Sequence, residues 1–262
     1  MGVVNVTPDS FSDGGRYFNS QAAVDHARRL IEEGADILDL GAESSRPGAL
    51  PVPLDEELRR LLPVLRALRD SPVPISVDTT KPEVMAQVID AGASMINDIA
   101  ALAAPGALEI IARSSVAVCL MHMQGDPRSM QLAPSYRNVV AEVRDWLRGR
   151  IDAALAAGIV RQRIVIDPGF GFGKTALHNL ELLRELNSLI ELGCPLLVGL
   201  SRKALLGQIT SRATDQRAYA SVAAALLAVQ RGARLVRVHD VAATRDALRV
   251  EWAVDNLELE VR

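Results

Sequence analysis

The chain has 262 residues, 49% of them hydrophobic and 23% charged, with a formal net charge of −3. That balance belongs to a globular protein with a large core, and it argues against nucleic acid or an anionic membrane as a partner. The chain opens directly on Met1-Gly2-Val3-Val4-Asn5, and its longest apolar run, 218–229, is about one core helix long. Neither a signal peptide nor a membrane span is expected, and the expected location is the cytoplasm. Cys119 and Cys194 sit in or beside apolar runs and are expected to be buried free thiols.

Short apolar runs alternate with longer amphipathic segments eight times. The pattern predicts strands at 3–6, 37–40, 75–77, 94–97, 116–120, 164–166, 195–198 and 235–238. It predicts helices at 21–33, 55–69, 82–91, 107–113, 138–157, 180–191, 215–230 and 242–259. Gly34, Gly92, Gly158, Gly193 and Gly232 follow helical segments, as left-handed caps do. Strict alternation implies parallel strands with right-handed crossovers. Spread over eight units, 262 residues gives about 33 each, which suits a (β/α)8 barrel of the TIM type better than an open sheet. Residues 1–262 are therefore expected to form one α/β domain. Three connections after strands are long, at 7–20, 41–54 and 121–137, and all would lie on the carboxyl-terminal face where such barrels gate substrate.

One stretch stands out, Ile164-Val165-Ile166-Asp167-Pro168-Gly169-Phe170-Gly171-Phe172-Gly173-Lys174. A buried strand ends in a carboxylate and passes into a loop with three alternating glycines and two of the four phenylalanines. It is neither a P-loop, because Pro168 occupies the required first glycine, nor a G-x-G-x-x-G dinucleotide fingerprint. A strand-end carboxylate beside flat apolar surfaces suits a planar, nitrogen-rich ring. Other strand ends are polar too: Asn5, Asp39 with Glu43, Asp78, Asn97, His122, Ser201 with Lys203, and Arg237 with His239. Any one of these could be a simple stop signal. Seven or eight converging on one face each need a partner, and a polar ligand supplies them.

Several of these residues carry a resemblance. Asn5-Val6-Thr7-Pro8-Asp9-Ser10-Phe11-Ser12-Asp13-Gly14-Gly15 resembles the first signature of the dihydropteroate synthase family of folate biosynthesis, and Gly41-Ala42-Glu43-Ser44-Ser45-Arg46-Pro47-Gly48 resembles its second. Val77-Asp78-Thr79, Ile96-Asn97-Asp98-Ile99, Leu120-Met121-His122-Met123-Gln124-Gly125, the glycine stretch, Ser201-Arg202-Lys203 and Arg237-Val238-His239-Asp240 follow in family order. The resemblance implies a pterin-binding (β/α)8 barrel. It implies a transferase joining 4-aminobenzoate to 6-hydroxymethyl-7,8-dihydropterin diphosphate, with release of pyrophosphate.

Residue by residue, the resemblance assigns Asp78, Asn97, Met121, Asp167, Lys203 and Arg237 to the pterin. Asn5, Ser45, Arg46, Arg237 and His239 fall to the diphosphate, with a Mg²⁺ on Asn5. Phe11, Pro47, Phe172 and Ser201 fall to the 4-aminobenzoate. Asp9, Arg46 and Lys203 are the expected catalytic residues, with Asp9 stabilising a pterin cation after pyrophosphate leaves. A homodimer and inhibition by sulfonamides are also implied. The family has residues before its first signature that form a hairpin closing the barrel's bottom, and the hairpin is expected to be missing here. Ser45 stands where threonine is usual, which keeps the hydroxyl and loses a methyl. Two rivals share parts of this pattern: a pterin-binding methyltransferase, which has no use for a diphosphate cradle, and a non-catalytic pterin-binding barrel. Pyrophosphate release separates both from the synthase. Cys119-x-x-His122 lacks a second ligand pair at zinc spacing, so no zinc site is expected.

Overall fold

The computed structural model describes residues 1–6, 20–44 and 48–258. Eight parallel strands follow in chain order: β1 Gly2–Asn5, β2 Leu38–Gly41, β3 Ile75–Asp78, β4 Met95–Asp98, β5 Ala117–Met121, β6 Ile164–Asp167, β7 Leu196–Val198 and β8 Ala233–Val236. A parallel bridge between Gly2 and Val238 returns the last strand to the first and closes the barrel. The Val3 amide donates to the Val238 carbonyl at 3.0 Å across that seam.

Nine helices surround the barrel among the described residues: α1 Ser20–Glu32, α2 Leu54–Ala67, α3 Pro82–Asp90, α4 Ala107–Arg113, α5 Val139–Ala156, α6 Ala176–Arg184, α7 Ala204–Thr210, α8 Ala218–Val229 and α9 Val241–Asn256. α1 shows why. Its buried residues Ala23, Val24, Ala27 and Leu30 recur at helical spacing and form one apolar face against the strands. α5 begins where Asn138 caps it, the side chain accepting from the Ala141 amide at 2.9 Å.

The expected elements lie within a few residues of the observed ones, with three differences. The predicted helix 180–191 is α6 followed by a 3-10 helix over Leu186–Leu192. α6 starts earlier because Thr175 and His178 form a capping box, with histidine where the usual signal is Glu or Gln. α7 was not among the expected helices, and Ser211 in the left-handed region separates it from α8. The last strand sits at 233–236 and not at 235–238, its pairing with β7 carries a register shift between Leu196 and Leu197, and Val238 keeps only an isolated bridge to Gly2.

Side chains alternate along each strand, so every second residue points inward. Near the amino ends the inward positions are apolar, with Met95, Cys119, Val165 and Leu197 forming a cluster inside the barrel. One step further toward the carboxyl ends they turn polar: Asn5, Asp39, Asp78, Asn97 and Asp167. The barrel is thus sealed at one end and polar at the other. Cys119 and Cys194 are both buried free thiols.

Candidate active site at the carboxyl-terminal mouth

Arg237, just past β8, reaches across the mouth. Its Nε donates to Asp39 Oδ2 on β2 at 2.6 Å, and a terminal nitrogen meets Asp78 Oδ2 on β3 at 3.3 Å. Asn97 Nδ2 on β4 donates to the same Asp39 oxygen at 3.2 Å. Asp39 is wholly buried and its Oδ1 has no hydrogen-bond partner among the described residues. Arg237 stays charged despite burial, because Asp39 and Asp78 outweigh the desolvation. Burial pushes Asp78 up to about 7, only partly offset by Arg237.

Asp167 ends β6. Its Oδ1 accepts the Gly169 amide at 2.7 Å. Burial raises its pKa, with Lys203 foremost among the charges that oppose the shift. Lys203 donates to the Phe170 carbonyl and stands 4.6 Å from the centroid of the Phe172 ring. Burial lowers the Lys203 ammonium to about 8 against the pull of Asp167. Ser201 Oγ meets His239 Nδ1 at 3.0 Å and accepts the His239 amide at 3.2 Å, which joins the β7 and β8 turns. Behind them Arg202, at φ 58, makes a bidentate pair with Asp240 at 2.5 and 3.1 Å.

The glycine loop owes its sequence to crowding. Gly169, Gly171 and Gly173 all have positive φ, and a Cβ on Gly169 would stand 1.8 Å from the His122 carbonyl oxygen. A Cβ on Gly173 would stand 2.4 Å from the Gln124 carbonyl oxygen. Side chains take up the loop's own carbonyls: Gln131 bonds Gly171 O at 2.5 Å and Tyr136 bonds Gly173 O at 2.8 Å. These partners come from the long connection after β5, so that segment buttresses the loop.

The two phenylalanines divide. Phe170 is fully buried in the core between barrel and helices, and only Phe172 stands at the mouth. His122 also departs from expectation. Met121 points into the barrel beside Gly169, so its neighbour His122 points outward, edge-on to Trp146 at 5.0 Å and bonded to Lys174. Glu43 likewise pairs with Lys81, which also meets Glu57 at 2.5 Å.

The structure therefore brings together Asn5, Asp78, Asn97, Met121, Asp167, Phe172, Ser201, Lys203, Arg237 and His239 at one mouth. Asp9, Phe11, Ser45, Arg46 and Pro47 lie outside the described residues. Asp39, expected among the polar strand ends but given no ligand role there, is the hub under Arg237 and Asn97. Among the described residues no group of three or more His, Cys, Asp or Glu could hold a metal, and no helix is long and apolar enough to cross a membrane.

The family model for pterin binding enzymes matches residues 1–239. The chain belongs to this family. Within it the similarity is to dihydropteroate synthases. The one from Neisseria meningitidis serogroup C is 52% identical over 265 residues, covering 99% of this chain and 93% of that protein. The solved structure of Xanthomonas albilineans dihydropteroate synthase with 4-aminobenzoic acid superposes with a TM-score of 0.93 at 57% identity, covering 97% of this chain and 92% of that one. A sulfonamide complex of the Yersinia pestis enzyme gives 0.93 at 46% identity, covering 98% and 94%.

Proposed function

We propose that this chain, a transferase of the dihydropteroate synthase type, works by a dissociative displacement. The reaction condenses 6-hydroxymethyl-7,8-dihydropterin diphosphate with 4-aminobenzoate to 7,8-dihydropteroate and pyrophosphate. The observation that carries the residue assignment is the pairing of inward carboxylates with an amide and two cations at one mouth. A pterin edge presents an amino group beside a ring N–H, and Asp167 has one oxygen left to meet it after binding Gly169. Asn97 donates and accepts, Lys203 donates to the ring carbonyl, and Asp78 and Met121 line the remaining edge. Arg237 lies across the mouth and serves both the ring face and the diphosphate.

Asn5, Arg237 and His239 form the diphosphate end. Asn5 alone is a neutral oxygen ligand, which fits a Mg²⁺ that arrives with the diphosphate and not one held by the chain. Such an ion would neutralise the leaving pyrophosphate. The arylamine is a neutral nucleophile at pH 7 and needs no general base. Phe172 and Ser201 flank its place. Asp9, Arg46, Ser45, Phe11 and Pro47 complete the site on the resemblance alone, with Asp9 opposite the developing cation and Arg46 on pyrophosphate or the benzoate carboxylate.

The test is pyrophosphate release on mixing the two substrates. Asp9→Ala should depress turnover far more than pterin binding, and equal loss of both would sink the dissociative reading. Exposed Tyr219 and Leu227 on α8 with Val250 and Val254 on α9 support a homodimer. A monomer mass by light scattering would end that part.

A further inference from the structure

Lys174 is a basic side chain with no place in the substrate contacts above, yet it is only 3% exposed. A buried ammonium needs an acceptor for each of its three hydrogens. Lys174 has three: His122 Nδ1 at 2.9 Å, the Gly169 carbonyl at 2.9 Å and the Phe172 carbonyl at 3.0 Å. The two carbonyls belong to the corners of the turn that the Phe172 amide closes on Gly169 O at 3.1 Å. His122 must then be neutral with its proton on Nε2. Burial, followed by the nearby Lys174 charge, lowers its pKa to about 3, which agrees.

We propose that Lys174 is a positioning residue for pterin recognition: its ammonium fixes the glycine turn and supplies the buried counter-charge behind Asp167. The two side chains grip one residue from both ends, since Asp167 Oδ1 takes the Gly169 amide and Lys174 takes the Gly169 carbonyl. Phe172, held through its carbonyl by Lys174, is the ring that faces Lys203. The mutual attraction is visible on both groups. Lys174 opposes the upward shift that burial imposes on Asp167, and Asp167 opposes the downward shift that burial imposes on Lys174, which lies at about 7. The remaining groups around Asp167 are Lys203 and Arg237 from the turns after β7 and β8, and the Cys119 thiol of β5.

This inference rests on the pterin reading, and the experiment separates the two. Binding of 6-hydroxymethyl-7,8-dihydropterin is measured by calorimetry from pH 5.5 to 8.5 for the parent chain, Lys174→Met and Lys174→Gln. Glutamine keeps two N–H donors and removes the charge. Both variants should bind at least about tenfold more weakly at pH 7. Their binding should also begin to fail at a pH about one unit higher than the parent's, because Asp167 takes up its proton sooner. Asp78 contributes its own limb, which the substitutions leave in place. A folded variant with the parent's affinity overturns the proposal, and so does weaker binding with an unmoved pH profile, which is the mark of a packing role. A parent chain that fails to bind the dihydropterin overturns the pterin reading instead. Should neither variant fold, nitrogen NMR of the unaltered chain decides: a protected Lys174 ammonium at pH 6 supports the assignment, and a neutral amine there refutes it.

Discussion

Alanine at Gly169 should be far more damaging than alanine at other glycines that share its backbone conformation. Gly106, ahead of α4, has φ 87 and a new Cβ there would meet nothing within 4 Å. Its replacement carries only the left-handed backbone penalty of about 1–2 kcal/mol. At φ 69, Gly169 carries the same penalty, and its Cβ would also stand 1.8 Å from a backbone oxygen that belongs to the end of β5. A side chain could swing away, but the His122 carbonyl is held in place, since the His122 amide is bonded to Asp167 O at 2.9 Å. Relief therefore needs a backbone shift of about 1 Å or more, and overpacking of this kind adds about 1–3 kcal/mol. At this chain length about 1 kcal/mol moves Tm by about 2–4 °C. We expect Gly169→Ala to unfold about 2–12 °C below Gly106→Ala. The same shift displaces the Gly169 amide that orients Asp167, and a misplacement of about 1 Å costs on the order of a hundredfold in rate. Thermal unfolding with steady-state pyrophosphate release, on both variants in parallel, checks this. If Gly169→Ala and Gly106→Ala are alike in both measurements, the crowding argument is wrong.

Asp167→Asn keeps an acceptor for the Gly169 amide and replaces the remaining oxygen with a donor, so pterin binding should fall by about 1.5–3 kcal/mol, roughly 10- to 150-fold. Calorimetry with the dihydropterin reads this, and a loss under threefold would exclude Asp167 as the pterin's anchor. Asp78 holds its proton more tightly in the folded chain, up to about 7. It therefore stabilises the fold below its unfolded value near 4, and that contribution is lost as pH rises through about 7. Denaturant midpoints at pH 5 and pH 8 should differ less in Asp78→Asn than in the parent, and an unchanged difference would contradict the shift. Sulfonamides should raise the apparent KM for 4-aminobenzoate and leave kcat alone; a pure fall in kcat would place them elsewhere.

Local pattern was enough for much of this. Apolar runs a few residues long, separated by amphipathic stretches, imply parallel strands with helical crossovers, and eight such units favour a closed barrel over an open sheet. Because strand side chains alternate, the polar residue ending each run lies on the inward face, so Asn5, Asp78, Asn97 and Asp167 were legible as a set. The same reasoning failed where one residue's parity was overlooked: His122 follows inward Met121 and so points out to Trp146 and Lys174. It failed also at α7, which falls inside the expected connection before α8.

Pairings across the barrel were decided by the tertiary structure. Arg237 meets Asp39 and Asp78 from the far end of the chain, and nothing in the spacing of those residues specifies it. Strand tilt and the register at which β8 closes on β1 set which inward groups are neighbours, and both are properties of the closed sheet. The glycine loop divides in the same way. Its glycines announce a left-handed, crowded turn, while the division of its phenylalanines between core and mouth required the fold. So did the burial of Lys174, because a lysine's sequence neighbours do not reveal whether three acceptors will surround it.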